Sequence, residues 1–253
     1  MGGWLPLAAG AGASLARIAA AVTARPGAVM SEQSPLPLTG PEAAPASGGP
    51  AAQLVVLLHG LGVDGSDLIG LAPYFAEALP DAAFFAPDAP DPCDLVPFGR
   101  QWFSLQDRAA SQVVAGVRGA APRLAATIAA AAARWGVGPG DVALVGFSQG
   151  AMMALQVGLR RDPPPAAIVA FSGALVDAAR LPEEIAARPP VLLVHGAEDE
   201  VVNPASLATA ERALGAVGVP VLAQLRPGLG HAIDDEGAAL ARAFLLQAFG
   251  GAD

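Results

Sequence analysis

The chain has 253 residues, 53% of them hydrophobic and only 15% charged. That is ample apolar material for a large core and excludes intrinsic disorder for most of the chain. The net charge of −9 makes nucleic acid an unfit partner, because phosphate contacts need cations.

A single cysteine, Cys93, excludes an internal disulfide and suits a reducing compartment, so the expected location is the cytoplasm. No stretch approaches the ~20 continuous apolar residues of a membrane-spanning helix, and no stable membrane insertion is expected. Residues 1–30 lack any acid and are rich in Ala and Gly. A secretory signal puts positive charge ahead of its apolar stretch, but Arg17 follows it here. Pro6 stands where a myristoylation site needs Ser or Thr. The segment reads as a disordered or wrongly assigned extension with Met30 as the true start. A targeting segment and an ordered extension are the alternatives.

Residues 31–253 read as one domain without an internal repeat. Its first part, 31–52, is rich in Pro, Gly and Ser and reads as an irregular lead-in with one short edge strand at Leu36–Leu38. Gln53–Leu58 (QLVVLL) is a continuous apolar run of the kind buried on both faces of a parallel sheet. Similar runs stand at Ala82–Ala86, Val142–Val145, Ala166–Phe171, Val191–Val194 and Val219–Leu225. Helical stretches are expected at Asp67–Leu79, Ala120–Trp135, Gln149–Arg161, Pro204–Val217 and Asp234–Phe249, bounded by capping acids, Pro and Gly. The alternation predicts an α/β fold: a mostly parallel central sheet with helices on both faces and no large separate cap domain. Pro87–Gln106 stays unassigned. It is a long, Pro-rich loop carrying Phe98, Trp102 and Phe103, and loops of that length are often functional.

Gly146-Phe147-Ser148-Gln149-Gly150 follows a strand and opens a helix, the context that gives G-x-S-x-G its meaning. A serine on so tight a turn needs small neighbours two residues away on each side, and its hydroxyl is lifted above the sheet. Ser148 is therefore the expected nucleophile. A serine hydroxyl needs a base within hydrogen-bond reach. With the chain order Ser, acid, His, only His231 of the three histidines lies far enough downstream. The acid belongs on the loop after Val191–Val194, where HGAEDEVVNP offers Asp199 first and Glu198 second, with Asp177 a distant third.

LLHGLGVDGSD, GFSQGAMMAL, HGAEDEVVNP and GLGHAIDDE, in this order and spacing, resemble the phospholipase/carboxylesterase family of α/β-hydrolases, which includes acyl-protein thioesterases and bacterial carboxylesterases. The resemblance covers residues 36–249 and implies the α/β-hydrolase fold. It implies Asp199 as the acid, from the H-G-x-x-D segment, and His231 as the base, from G-x-G-H. It also implies an oxyanion hole made by the backbone N–H groups of Leu61 and Gln149. Rigid backbone donors suit that role, and Gly60 and Gly62 let the loop at Leu61 curve in. His59 and His195 are expected to bond loop backbone.

The chain departs from the family at Ser104, where many members carry Asp after Trp-Phe, and at Glu200, where Pro is common. Trp102, Phe103 and Leu105 are expected either to wall an acyl pocket or to anchor the loop on the core. No metal is expected, since the histidines are scattered and the one cysteine is remote, and no cofactor is needed. The expected activity is hydrolysis of short- to medium-chain acyl esters through an acyl-enzyme, on a small-molecule or acylated substrate. The alternatives are an acyl-protein or acyl-CoA thioesterase, a lysophospholipase, and a non-catalytic binding protein on the same scaffold. A homodimer is compatible with the sequence.

Overall fold

The computed structural model describes residues 36–250, so the expectations for residues 1–30 lie outside the described residues. In chain order the elements are β1 (Glu42–Ala43), β2 (Gln53–Leu58), α1 (Gly65–Leu68), α2 (Ala72–Ala76), β3 (Ala82–Phe85), β4 (Asp91–Pro92), β5 (Arg100–Gln101) and α3 (Ala110–Trp135). Then follow β6 (Val142–Phe147), α4 (Gln149–Gly158), β7 (Ala167–Phe171), α5 (Leu181–Glu184), β8 (Val191–Gly196), α6 (Ala205–Ala216), β9 (Val221–Arg226) and α7 (Asp235–Gly250).

Seven strands form one sheet in the order β1-β3-β2-β6-β7-β8-β9. Only β1 runs antiparallel to its neighbour. Successive side chains of a strand point to opposite faces, and here the apolar runs feed two cores. Leu54, Val56 and Leu58 of β2 join one cluster with Leu124 and Ile128 of α3 and Met153 of α4. Val55 and Leu57 join the other with Phe75 of α2 and Leu245 of α7. This is why the strands read as unbroken hydrophobic runs rather than alternating ones.

Three expected elements differ. The edge strand is at Glu42–Ala43, not Leu36–Leu38. Pro37 in its middle leaves that stretch few donors for a ladder, and Leu38 instead buries its side chain and donates its N–H to Thr127 Oγ1 at 2.9 Å. The helix expected at Asp67–Leu79 is two short helices joined by a 3-10 turn at Ile69–Leu71, broken at Gly70 and Pro73; Asp64 caps its start through Ser66 N–H. Conversely, α3 begins ten residues before Ala120 and runs through Gly116, Gly119 and Pro122. These look like breakers, but Gly116 is there for packing: a Cβ on it would lie 2.8 Å from the Phe103 side chain.

Parallel strands put their carboxyl ends on one edge of the sheet. The chain crosses from β3, on one side of β2, to β6 on the other. Ligand sites in open α/β sheets form at such a reversal. The loop after β2, carrying Leu61, and the turn after β6, carrying Ser148, are therefore neighbours.

Candidate active site

Ser148 sits at the end of β6 with φ 54° and ψ −116°, a backbone conformation few side-chain-bearing residues adopt. Such a residue is strained by about 1–3 kcal/mol and persists only where its surroundings over-determine it. They do so here. Ser148 N–H donates to Phe171 O at 2.8 Å, and Ser148 O accepts from Ala151 and Met152 N–H at 3.1 and 3.2 Å. The motif glycines are required by close backbone approach. A Cβ on Gly146 would lie 2.4 Å from Gly150 O, and one on Gly150 would lie 1.9 Å from Leu58 O.

Asp199 and His231 come together from the loops after β8 and β9. His231 Nδ1 donates to Asp199 Oδ2 at 2.7 Å, and the carboxylate side chain is fully buried. Its other oxygen accepts from Val201 and Val202 N–H at 2.8 and 2.9 Å. Burial alone pushes the Asp199 carboxyl up, but the bonds from His231, Val202 and Val201 outweigh it and hold the group below its ordinary value. A Cβ on Gly196 would lie 2.2 Å from Gly230 O, so the close approach of the β8 and His231 loops requires a glycine. The other two acids are placed elsewhere. Glu198 is exposed, and Asp177 pairs with Arg118 at 2.6 Å. The Phe147 ring packs against His231 with centroids 4.8 Å apart.

Leu61 lies on the opposite wall. Its loop is stitched to the long segment after β3, where β4 and β5 make a small hairpin. Gly62 N–H donates to Arg100 O at 2.9 Å and Arg100 N–H to Val63 O at 2.8 Å. The Arg100 guanidinium reaches back to the carbonyls of Ala89 and Pro90. Gln149 N–H, at the first position of α4, has no acceptor within its helix. The Gln149 side chain is a buried bracket: it accepts from Trp102 N–H at 2.8 Å and donates to Phe103 O at 2.7 Å.

Gly60, Leu61, Ser148, Gln149 and His231 share one cleft of about 370 Å³. Val63, Leu105, Val113, Phe147, Met152, Val201 and Val202 give it apolar walls, and Asp67 and Arg108 also line it. Of the three residues expected at an acyl pocket, only Leu105 lines the cleft. Trp102 and Phe103 lie in the core at 2% and 4% exposure, and Trp102 Nε1 donates to His59 O at 2.9 Å. Their bulk is better buried in the core, where both join the cluster with Leu124 and Ile128 of α3, than left at the rim of the cleft.

Sequence reasoning missed Val113, Met152, Val201 and Val202. Met152 was findable, four residues from Ser148 and so one helical turn along the same face. The valines were not, because only folding brings their loops to the cleft. His59 and His195 both bond backbone. His59 Nδ1 donates to Gly60 O at 2.7 Å and Nε2 accepts from Ala89 N–H at 2.9 Å. Burial lowers the His59 pKa below the ordinary histidine value, though the Gly60 bond opposes this. Among the described residues, no cluster of three or more His, Cys, Asp or Glu is placed to hold a metal ion, and no helix is long and apolar enough to cross a membrane.

Comparison with known proteins adds a family to this geometry. The phospholipase/carboxylesterase family model matches residues 42–248. Esterase YpfH of Escherichia coli K12 is 35% identical over 187 residues, 74% of this chain and 78% of that protein. The crystal structure of esterase PE8 superposes with a TM-score of 0.80 at 45% identity, covering 83% of this chain and 98% of that one. That of Zea mays acyl-protein thioesterase 2 gives 0.63 at 26% identity, covering 82% and 97%.

Proposed function

The chain belongs to the phospholipase/carboxylesterase family of esterases, and from that premise we propose that it cleaves short- to medium-chain acyl esters through an acyl-enzyme on Ser148. The observation that carries this reading is the 2.7 Å bond between His231 and a buried Asp199 in a cleft that also holds a serine on a strained turn. Asp199 fixes the imidazole so that Nε2 is the nitrogen free to take a proton, and it stabilises the imidazolium that forms. His231 takes the Ser148 proton as Oγ attacks the acyl carbon. The carbonyl oxygen gains the negative charge and accepts hydrogen bonds from Leu61 and Gln149 N–H. Collapse expels the alcohol, protonated by His231. His231 then deprotonates a water that attacks the acyl-serine, and on collapse it returns that proton to Ser148 Oγ as the acyl–oxygen bond breaks and the carboxylic acid leaves.

The apolar walls suit an acyl chain, and about 370 Å³ lies at the small end for ligand sites, which favours short and medium chains. Residues 31–253 act as one catalytic domain on a small-molecule or acylated substrate in the cytoplasm. The likeness to the maize acyl-protein thioesterase favours thioesters as a second reading. Hydrolysis of p-nitrophenyl esters of increasing chain length by wild type and Ser148→Ala tests the proposal. Turnover falls from short and medium chains to palmitate and vanishes in the variant. An inert wild type, or an active Ser148→Ala, overturns it. Faster turnover of a matched thioester selects the second reading.

A further inference from the structure

The two hydrogen-bonding faces of Asp199 are filled, one oxygen by two backbone N–H groups and the other by His231. A second imidazole also reaches this carboxylate. His195, at the end of β8 and 2% exposed, bonds through Nε2 to Val202 O at 2.9 Å, and the same nitrogen lies 3.2 Å from Asp199 Oδ2. A carbonyl only accepts, so Nε2 carries the proton. Its N–H is therefore bonded to the turn carbonyl, with the positive end of the dipole beside the Asp199 carboxylate.

We propose that His195 is a positioning residue of the reaction, holding Asp199 and the Val201–Val202 wall in register and moderating the charge that Asp199 presents to His231. The inference rests on the acyl-enzyme reading above. The turn from Asp199 to Val202 is pinned from both sides. Its N–H groups bond Asp199 Oδ1, and its last carbonyl bonds His195. Val201 and Val202 also line the cleft, so the pin that sets the acid sets part of the acyl wall. The ionisable groups around Asp199 are His195 and His231, with Glu198 and Glu200 exposed on either side in sequence.

Removing the His195 N–H takes a positive dipole end away from beside Asp199, and the acid's charge acts more strongly on His231. The protonated base is then favoured, so the acid limb of the kcat/KM profile moves to higher pH. His195→Leu removes the donor. His195→Gln places an amide N–H near the former Nε2. In the full chain, His195→Leu is expected to lose about tenfold in kcat. Its acid limb shifts upward, and His195→Gln restores both. A His195→Leu enzyme with the wild-type limb and kcat overturns the inference, as does a loss that Gln fails to restore.

If His195→Leu does not fold, the wild-type protein decides. Nitrogen NMR of the His195 ring should show the proton on Nε2 across the active pH range, and a proton on Nδ1 alone overturns the inference. Ser148→Ala separates the two failures. An inactive Ser148→Ala beside indifferent His195 variants removes only the role of His195, whereas an active Ser148→Ala removes the reading beneath it.

Discussion

The strands β2 and β8 both end at a buried His-Gly pair, and they lie on opposite sides of β6, which carries Ser148 at its end. At the β2 corner both nitrogens of His59 are used by backbone, Nδ1 on Gly60 O and Nε2 on Ala89 N–H, and no carboxylate is bonded. At the β8 corner the His195 N–H bonds Val202 O, and its nitrogen lies 3.2 Å from the Asp199 carboxylate. The same dipeptide thus braces opposite chemistry. In the proposed reaction one corner steadies the loop that presents Leu61 N–H, where negative charge would develop. The other steadies the acid behind the base. A His-Gly at a strand end works as a bracket, and the loop folded against it decides what is held.

The largest predicted effect breaks the β8 corner at its acid. Asp199→Asn should lower kcat by about 10⁴-fold, because an amide favours the wrong imidazole tautomer. Steady-state kinetics on the variant check this, and a fall of only a few-fold would make the acid dispensable.

At the β2 corner, His59→Phe removes the acceptor of Ala89 N–H and the donor to Gly60 O. The Leu61 loop shifts, and kcat should fall by about 10², read from the same assay. Equal effects at the two corners would erase the distinction drawn between them.

Gln149→Leu acts on stability rather than turnover. It leaves Trp102 N–H and Phe103 O without partners and should cost about 1–3 kcal/mol for each group left unsatisfied, read as a lower urea midpoint.

Acid should separate the corners by stability. Burial depresses His59 in the fold, so the unfolded chain takes up a proton first and stability is lost as pH falls below about 6.5. Asp199 is also depressed, its hydrogen bonds outweighing burial. Its share is present at neutral pH and is lost below about 4, as pH falls toward its folded value. The melting temperature should therefore drop in two stages, and His59→Phe should remove the upper one only.

The sheet was legible because strands buried on both faces leave unbroken apolar runs, and each of these from Gln53 onward is a strand of the parallel sheet. Ser148, Asp199 and His231, the residues of the proposed triad, could be picked out because a tight serine turn demands Gly146 and Gly150 and chain order leaves few partners. The long loop was not legible. Its placement depends on Arg100 and on the Gln149 side chain, which join segments far apart in sequence. The same limit hid the start of α3, where Gly116 looks like a breaker until Phe103 is seen against it. His195 was expected only to bond backbone, and nothing in its sequence neighbourhood shows that the turn folds Asp199 back onto it.

The measurement that bears most directly on the central claim is covalent labelling with a fluorophosphonate followed by peptide mass spectrometry. The account predicts one adduct on Ser148 of the native protein and none on the Ser148→Ala protein. An adduct on a different serine, or equal labelling of the Ser148→Ala protein, would contradict it.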